Sequence, residues 1–235
     1  MKLYDLAYAC RLYQGEDDAT YRGMRKDLGD DPNMDSPERL LQFLNKWGCR
    51  ISKGNFETLE KHLTDWAGRW IGDLPPASKD ILSLESNAIK RIGESFDRLL
   101  TPHFGDTCAA KTLHALRYRA LPAWDYYIKK DWLDNGGSYG RTAGETYSNF
   151  LRHAAGEILE LKQDVERLKY SLTDFPKLVP KLVKHHEESY DISLVKLADE
   201  YYWTTITNRH KVPGRDQLKE WLDWESGSAT AIAAQ

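Results

Sequence analysis

Apolar residues in this chain recur at three- and four-residue spacing between glycine and proline stops. That period matches the turn of an α-helix and buries one face of each segment, which commits the chain to helices packed on helices. The stretch "SPERLLQFLNKWG" (36–48) is the plainest case: Ser36 stands at a cap position, Pro37 in the first turn, Leu40, Leu41, Leu44 and Trp47 along one stripe, and Gly48 at the stop. Leu59, Leu63, Trp66 and Trp70 repeat in the same way until Pro75-Pro76 breaks the run. The same reading predicts helices over 86–101, 106–118, from Asp125 onward, and over 145–170, 176–187, 192–206 and 214–225. In the longest, Leu151, Ala155, Ile158, Leu161 and Val165 form the stripe. No segment reads as a strand and no repeat recurs, so the expected class is all-α. Two helical lobes are expected, one from 1–35 with 151–225 and one barrel-like from 36–150, followed by a small-residue tail at 226–235.

Composition narrows the functional classes. Hydrophobic residues at 41% and charged residues at 29% suit a folded chain rather than a disordered one. The formal charge of −3 gives no general affinity for polyanions, so any nucleic-acid surface has to be local. The start "MKLYDLAYAC" lacks a secretory pattern and no stretch approaches a membrane span, so a cytoplasmic protein without membrane contact is expected. Cys10, Cys49 and Cys108 are far apart, form no CxxC pair and have no zinc or iron–sulfur spacing. They read as reduced thiols, and no metal site is expected.

The local surface is sought at 102–130. Pro102-His103-Phe104-Gly105 reads as a tight turn between two helices, and a helix start leaves amides without partners, which suits a phosphate. Pro122 turns the chain at Leu121, and Asp125 then begins the next helix, twenty residues past Gly105. Lys111, Arg117, Arg119, Lys129 and Lys130 lie between 107 and 130, with Asp125 as the only acid. A lone carboxylate among cations and aromatics suits the stabilisation of a transient sugar cation on DNA. An aspartate at a helix start also serves as an N-cap, and the two roles are compatible.

"TPHFGDTCA" resembles the helix–hairpin–helix motif of the DNA glycosylase superfamily that includes endonuclease III and the adenine-mismatch glycosylases. Pro102, Phe104, Gly105 and Ala109 fall on the motif's proline, apolar, second glycine and alanine positions. Asp125 lies at the offset of that family's essential aspartate. The resemblance is close over about 25 residues and extends loosely over 36–150 through the order of helices. It implies backbone contacts to DNA from His103, Phe104, Gly105, Thr107 and Lys111, with Asp125 as the catalytic group. A monovalent cation on the hairpin carbonyls is implied in the same way, and no other cofactor. His103 departs from the motif's usual first glycine. Thr107 stands where members that cut the strand carry a Schiff-base lysine, and Lys111, one helical turn on, does not replace it. The resemblance therefore implies a monofunctional, monomeric enzyme that removes a modified base from double-stranded DNA and leaves an abasic site. Repair and antiviral defence both fall within the family, including removal of glucosylated cytosine from phage DNA. The family's four-cysteine iron–sulfur loop is absent.

The helix over 36–48 and the loop after it correspond to the family's wedge and pocket, which makes Asn45, Trp47 and Arg50 candidates together with Trp124. Trp47 also belongs to the apolar stripe of its own helix, which is the commoner meaning of that spacing. "NGGSYGR" (135–141) reads as a turn that could also cradle a phosphate, and it lacks the Gly-Lys-Ser/Thr of a nucleotide loop. "KHHEE" (184–188) reads as a solvated helix face, and "DEYYWTTITNRH" (199–210) as an aromatic packing helix with Arg209 and His210 as backbone contacts at most. A non-catalytic helix–hairpin–helix DNA-binding protein and an all-α interaction module, with Asp125 a cap only, are the competing classes.

Overall fold

The computed structural model describes residues 1–16, 18–28, 34, 36–167 and 193–214. Helices form throughout them: α1 (Leu3–Glu16), α2 (Asp18–Leu28), α3 (Pro37–Lys46), α4 (Phe56–Trp70), α5 (Ser86–Leu99), α6 (Asp106–Leu116), α7 (Tyr126–Asp134), α8 (Ala143–Arg167) and α9 (Leu194–Tyr202). Short 3₁₀ turns at Lys53–Asn55, Ile71–Asp73 and Ile81–Ser83, and a π turn at Trp203–Thr207, complete them. There is no strand among the described residues, only an isolated bridge between Thr101 and Phe104. The expected helices at 176–187 and 214–225, the "KHHEE" run and the tail at 226–235 lie outside the described residues, apart from Gly214.

Two compact units divide the chain, Met1–Asp18 with Gly156–Gln235, and Ala19–Ala155. In the described part of the first, the Met1 ammonium pairs with Glu157 at 3.2 Å and Thr204 Oγ1 donates to Ala9 O at 3.2 Å. Lys196 is fully buried, donating to Asp199 Oδ2 at 2.8 Å and Tyr13 Oη at 3.2 Å. A buried ammonium is tolerable only with such partners.

The second unit carries the residues selected at 45–50 and 102–130. α5 is strongly amphipathic and buries Ile89, Ile92, Phe96 and Leu99. Phe96 stacks on Tyr147 of α8 with ring centres 4.6 Å apart, and Trp124 meets both edge-on, at 6.0 and 5.2 Å. α5 and α8 approach closely because each carries a glycine at the crossing. A Cβ on Gly144 would stand 1.9 Å from Gly93 O, and one on Gly93 would stand 2.3 Å from Ser148 Oγ. Asp97 Oδ1 of α5 accepts from Gly144 N at 2.7 Å, which satisfies an amide at the start of α8. Thr142 Oγ1 accepts from Glu145 N at 3.1 Å, a cap three residues ahead.

Candidate functional site

α5 and α6 are joined by a short turn over residues 100–105. Thr101 and Phe104 exchange both backbone hydrogen bonds at 3.1 Å, which puts Pro102 and His103 at an exposed tip. Thr101 Oγ1 accepts from His103 N at 3.2 Å, and Phe104 is completely buried, anchoring the turn. Gly105 precedes α6 with φ −77° and ψ 178°, ordinary extended backbone, and a Cβ there would meet nothing within 4 Å. The bend therefore does not require glycine at 105. The Thr101 and Phe104 carbonyls each accept the other residue's amide. Among the described residues no group of three or more His, Cys, Asp or Glu could hold a metal.

Asp125 begins α7 in extended conformation, and its Oδ1 accepts from Ile128 N at 2.9 Å. It is half-buried and caps the helix, as its position suggested. The link between Asp125 and the hairpin runs through Asp106, the first residue of α6. Trp124 Nε1 donates to Asp106 O at 3.3 Å, and Lys129 Nζ donates to Asp106 Oδ2 at 2.5 Å. Lys129 also sits 5.2 Å from the centre of the Trp124 ring. Residues on both sides of Asp125 are thus tied to the residue that follows Gly105.

The cations of 107–130 are individually engaged. Lys111 donates to Trp47 O at 2.5 Å, and Arg117 donates to Pro75 O at 2.5 Å and to Leu116 O at 2.7 Å. Arg119 lies over Tyr118 at 5.6 Å, Lys129 pairs with Asp106, and Lys130 pairs with Asp134. Asp106, one residue outside the window counted in the sequence, neutralises Lys129.

Trp124 is a core residue, 1% exposed and surrounded by Phe96, Trp132, Tyr147 and Phe150. Trp47 is half-buried among Tyr21, Phe43 and His114, with ring centres 5.3–5.5 Å away. Asn45 closes its own loop: Nδ2 donates to Ile51 O at 2.8 Å and Oδ1 accepts from Ile51 N at 2.5 Å. Arg50 is exposed in that loop at φ +55°. Thr107 is half-buried, and its amide donates to Asp106 Oδ1 at 2.9 Å. A cleft of about 350 Å³ lined by Asp27, Leu28, Arg39, Gln42, Phe43 and Lys46 includes none of these residues.

The glycine loop at 135–141 is helix punctuation. Gly136, at φ +97°, donates to Leu133 O at 3.3 Å and Gly137 to Trp132 O at 2.9 Å, the paired bonds of a helix stop. Arg141 pairs with Glu145 at 2.8 Å, and that pairing holds the Glu145 carboxyl below its usual range.

Three tyrosines beyond those selected stand out. Tyr126, Tyr127 and Tyr139 are 64%, 48% and 76% exposed. The first two follow Asp125 directly, with ring centres 5.4 Å apart, and Lys130 lies near Tyr126 and Tyr139. The signal was present in the sequence: Ile128 and Trp132, four apart, mark the buried face of α7 and leave 126, 127 and 130 off it. Compared with known families, with curated proteins and with solved structures, the chain matches none.

Among the described residues no helix is long and apolar enough to cross a membrane.

Proposed function

We propose that this chain is a monofunctional DNA glycosylase that hydrolyses the N-glycosidic bond of a modified base in double-stranded DNA. The observation that carries the reading is the Asp106 tie. Trp124 and Lys129, on either side of Asp125 in the sequence, both reach Asp106, the residue that follows Gly105. The strand would lie across the exposed Pro102-His103 tip and the start of α6, with Tyr126, Tyr127 and Tyr139 as stacking faces. The target nucleotide leaves the stack at a cost of a few kcal/mol. The bond between base and C1′ breaks with its electron pair going to the base, and Asp125 stabilises the sugar cation. Water bonds to C1′ and gives up a proton, which Asp125 is suited to accept. With Thr107 at the lysine position, no Schiff base forms and the strand stays uncut. The resemblance places the activity in repair or in defence against phage DNA with bulky cytosines, carried out by a cytoplasmic monomer.

One observation favours a second reading. Asp125 Oδ1 is committed to the α7 cap, which suits a hairpin protein that binds DNA without chemistry. Incubation with duplexes carrying varied modified bases, phage DNA included, followed by alkali, separates the two. The glycosylase reading expects alkali-labile breaks with wild type and none with Asp125→Asn. Salt-sensitive binding without breaks selects the second reading. Absence of both leaves an all-α interaction module. Cutting without alkali overturns the role given to Thr107.

A further inference from the structure

The cleft that none of the selected residues enters lies between α2 and α3, within one compact unit. Arg39, Gln42, Phe43 and Lys46 line it from α3, at the spacing of a single helix face. Asp27 and Leu28 line it from α2. Its volume of about 350 Å³ falls in the range of small-molecule pockets.

Both walls are anchored. Phe43 is 3% exposed and forms the apolar floor, with the Trp47 ring edge-on at 5.3 Å and the Tyr21 ring at 6.4 Å. The Tyr21 hydroxyl meets His114 Nε2 of α6 at 2.9 Å. Arg25, two residues before Asp27, is buried against the same end of α6. It donates to Ala115 O at 3.2 Å and lies 4.0 Å from the centre of the Tyr118 ring. Lys111 of α6 ties the end of α3 through Trp47 O. α2 and α3 are thus both fastened to α6, and the gap between them is preformed.

The rim carries the charge. Arg39 and Lys46 are exposed and stand about 10 Å apart along the helix axis. Among the described residues neither makes an ion pair or hydrogen bond, unlike the cations of 107–130. Gln42, between them, donates to Glu38 Oε1 at 2.9 Å, which occupies that acid. Asp27 faces them from α2, so the lining holds two cations and one carboxylate. Arginine's planar fork suits carboxylate or phosphate oxygens, and lysine adds a second charge.

We propose that this cleft binds a small organic dianion, its apolar body on Phe43 and Leu28 and its charge on Arg39 and Lys46. Two chemistries share that description. A phosphate monoester puts both charges on one group, on which the two long side chains close from either end. A dicarboxylate puts one charge at each end of the stripe. Asp27 repels both and confines the anion to the α3 wall. This inference stands apart from the glycosylase reading and needs no DNA.

The test is titration calorimetry on the full chain near pH 8, where a phosphate monoester carries close to two charges. The probes are phenyl phosphate and terephthalate, with benzoate, inorganic phosphate and benzyl alcohol for comparison. Wild type should bind the better dianion about tenfold or more tightly than any of those three, because each lacks a charge or the apolar body. Phenyl phosphate ahead identifies a phosphate monoester, and terephthalate ahead a dicarboxylate. Arg39→Gln and Lys46→Gln should each weaken that dianion about tenfold, and Asp27→Asn should strengthen it. The three side chains are exposed, so the circular dichroism spectra should match wild type. Lys90→Gln, exposed on α5, should bind as wild type does. Failure of wild type to bind either dianion would overturn the proposal. So would inorganic phosphate or benzyl alcohol binding as tightly as the better dianion, or Arg39→Gln binding it as tightly as wild type.

Discussion

At Asp125, the carboxylate oxygen that accepts the Ile128 amide makes removal of the charge and removal of the cap separable changes. Asparagine caps about as well as aspartate, whereas alanine leaves the amide without its partner. Asp125→Asn should therefore unfold in urea within a few tenths of a kcal/mol of wild type while losing any base excision. Asp125→Ala should lose about 1 kcal/mol of stability as well. An Asn variant as unstable as the Ala variant would show that the charge, not the cap, holds the start of α7. The cap was legible because capping is a contact over three residues. The fate of the neighbouring cations was not, because Lys111 reaches Trp47 and Arg117 reaches Pro75 across sequence gaps that no local pattern records. Trp124 was misleading for the same reason: its neighbours in sequence are a site candidate and a helix start, and its neighbours in space are the core of α5 and α8.

At the scale of elements, α8 contains two glycines in opposite circumstances. Gly144 touches the backbone of Gly93 across the crossing with α5, and Gly156 has nothing within 4 Å of a Cβ. Gly144→Ala should cost about 1–3 kcal/mol by forcing the helices apart. Gly156→Ala should gain up to about 1 kcal/mol from helix propensity. Thermal and urea unfolding of the two variants should move in opposite directions, and a neutral Gly144→Ala would contradict the close approach. Periodicity located these helices well. The segments expected at 36–48, 86–101 and 106–118 appear as Pro37–Lys46, Ser86–Leu99 and Asp106–Leu116. The last ends early because Arg117 leaves the helix (φ −142°), its guanidinium on the Pro75 carbonyl. The expected 192–206 becomes Leu194–Tyr202 followed by a π turn, a change of hydrogen-bond register that apolar spacing does not encode.

For the molecule as a whole, each unit buries tyrosine hydroxyls. Tyr147 in one donates to Pro122 O at 2.7 Å, and Tyr13 and Tyr202 in the other sit beside Lys196 and Glu157. Burial raises the hydroxyls of all three above their ordinary value of 10.0. In the unfolded chain these groups ionise near that value, and in the folded chain they keep their protons. Their contribution is thus constant below pH 10 and is lost as the pH rises beyond it. Absorbance at alkaline pH should show exposed tyrosines ionising first, with the buried ones appearing only together with loss of helical signal. Ionisation of all thirteen in one early step would contradict the buried assignment. Residue order by itself determined that the described residues are helical, where α3, α5 and α6 lie to within a few residues, and that Asp125 opens α7. These depend on spacing and caps within a turn or two. Tertiary structure alone decided that Asp106 meets Trp124 and Lys129, and that Trp124 is core. Each of those requires side chains far apart in sequence to meet, and helix periodicity specifies which face is buried without specifying what it meets.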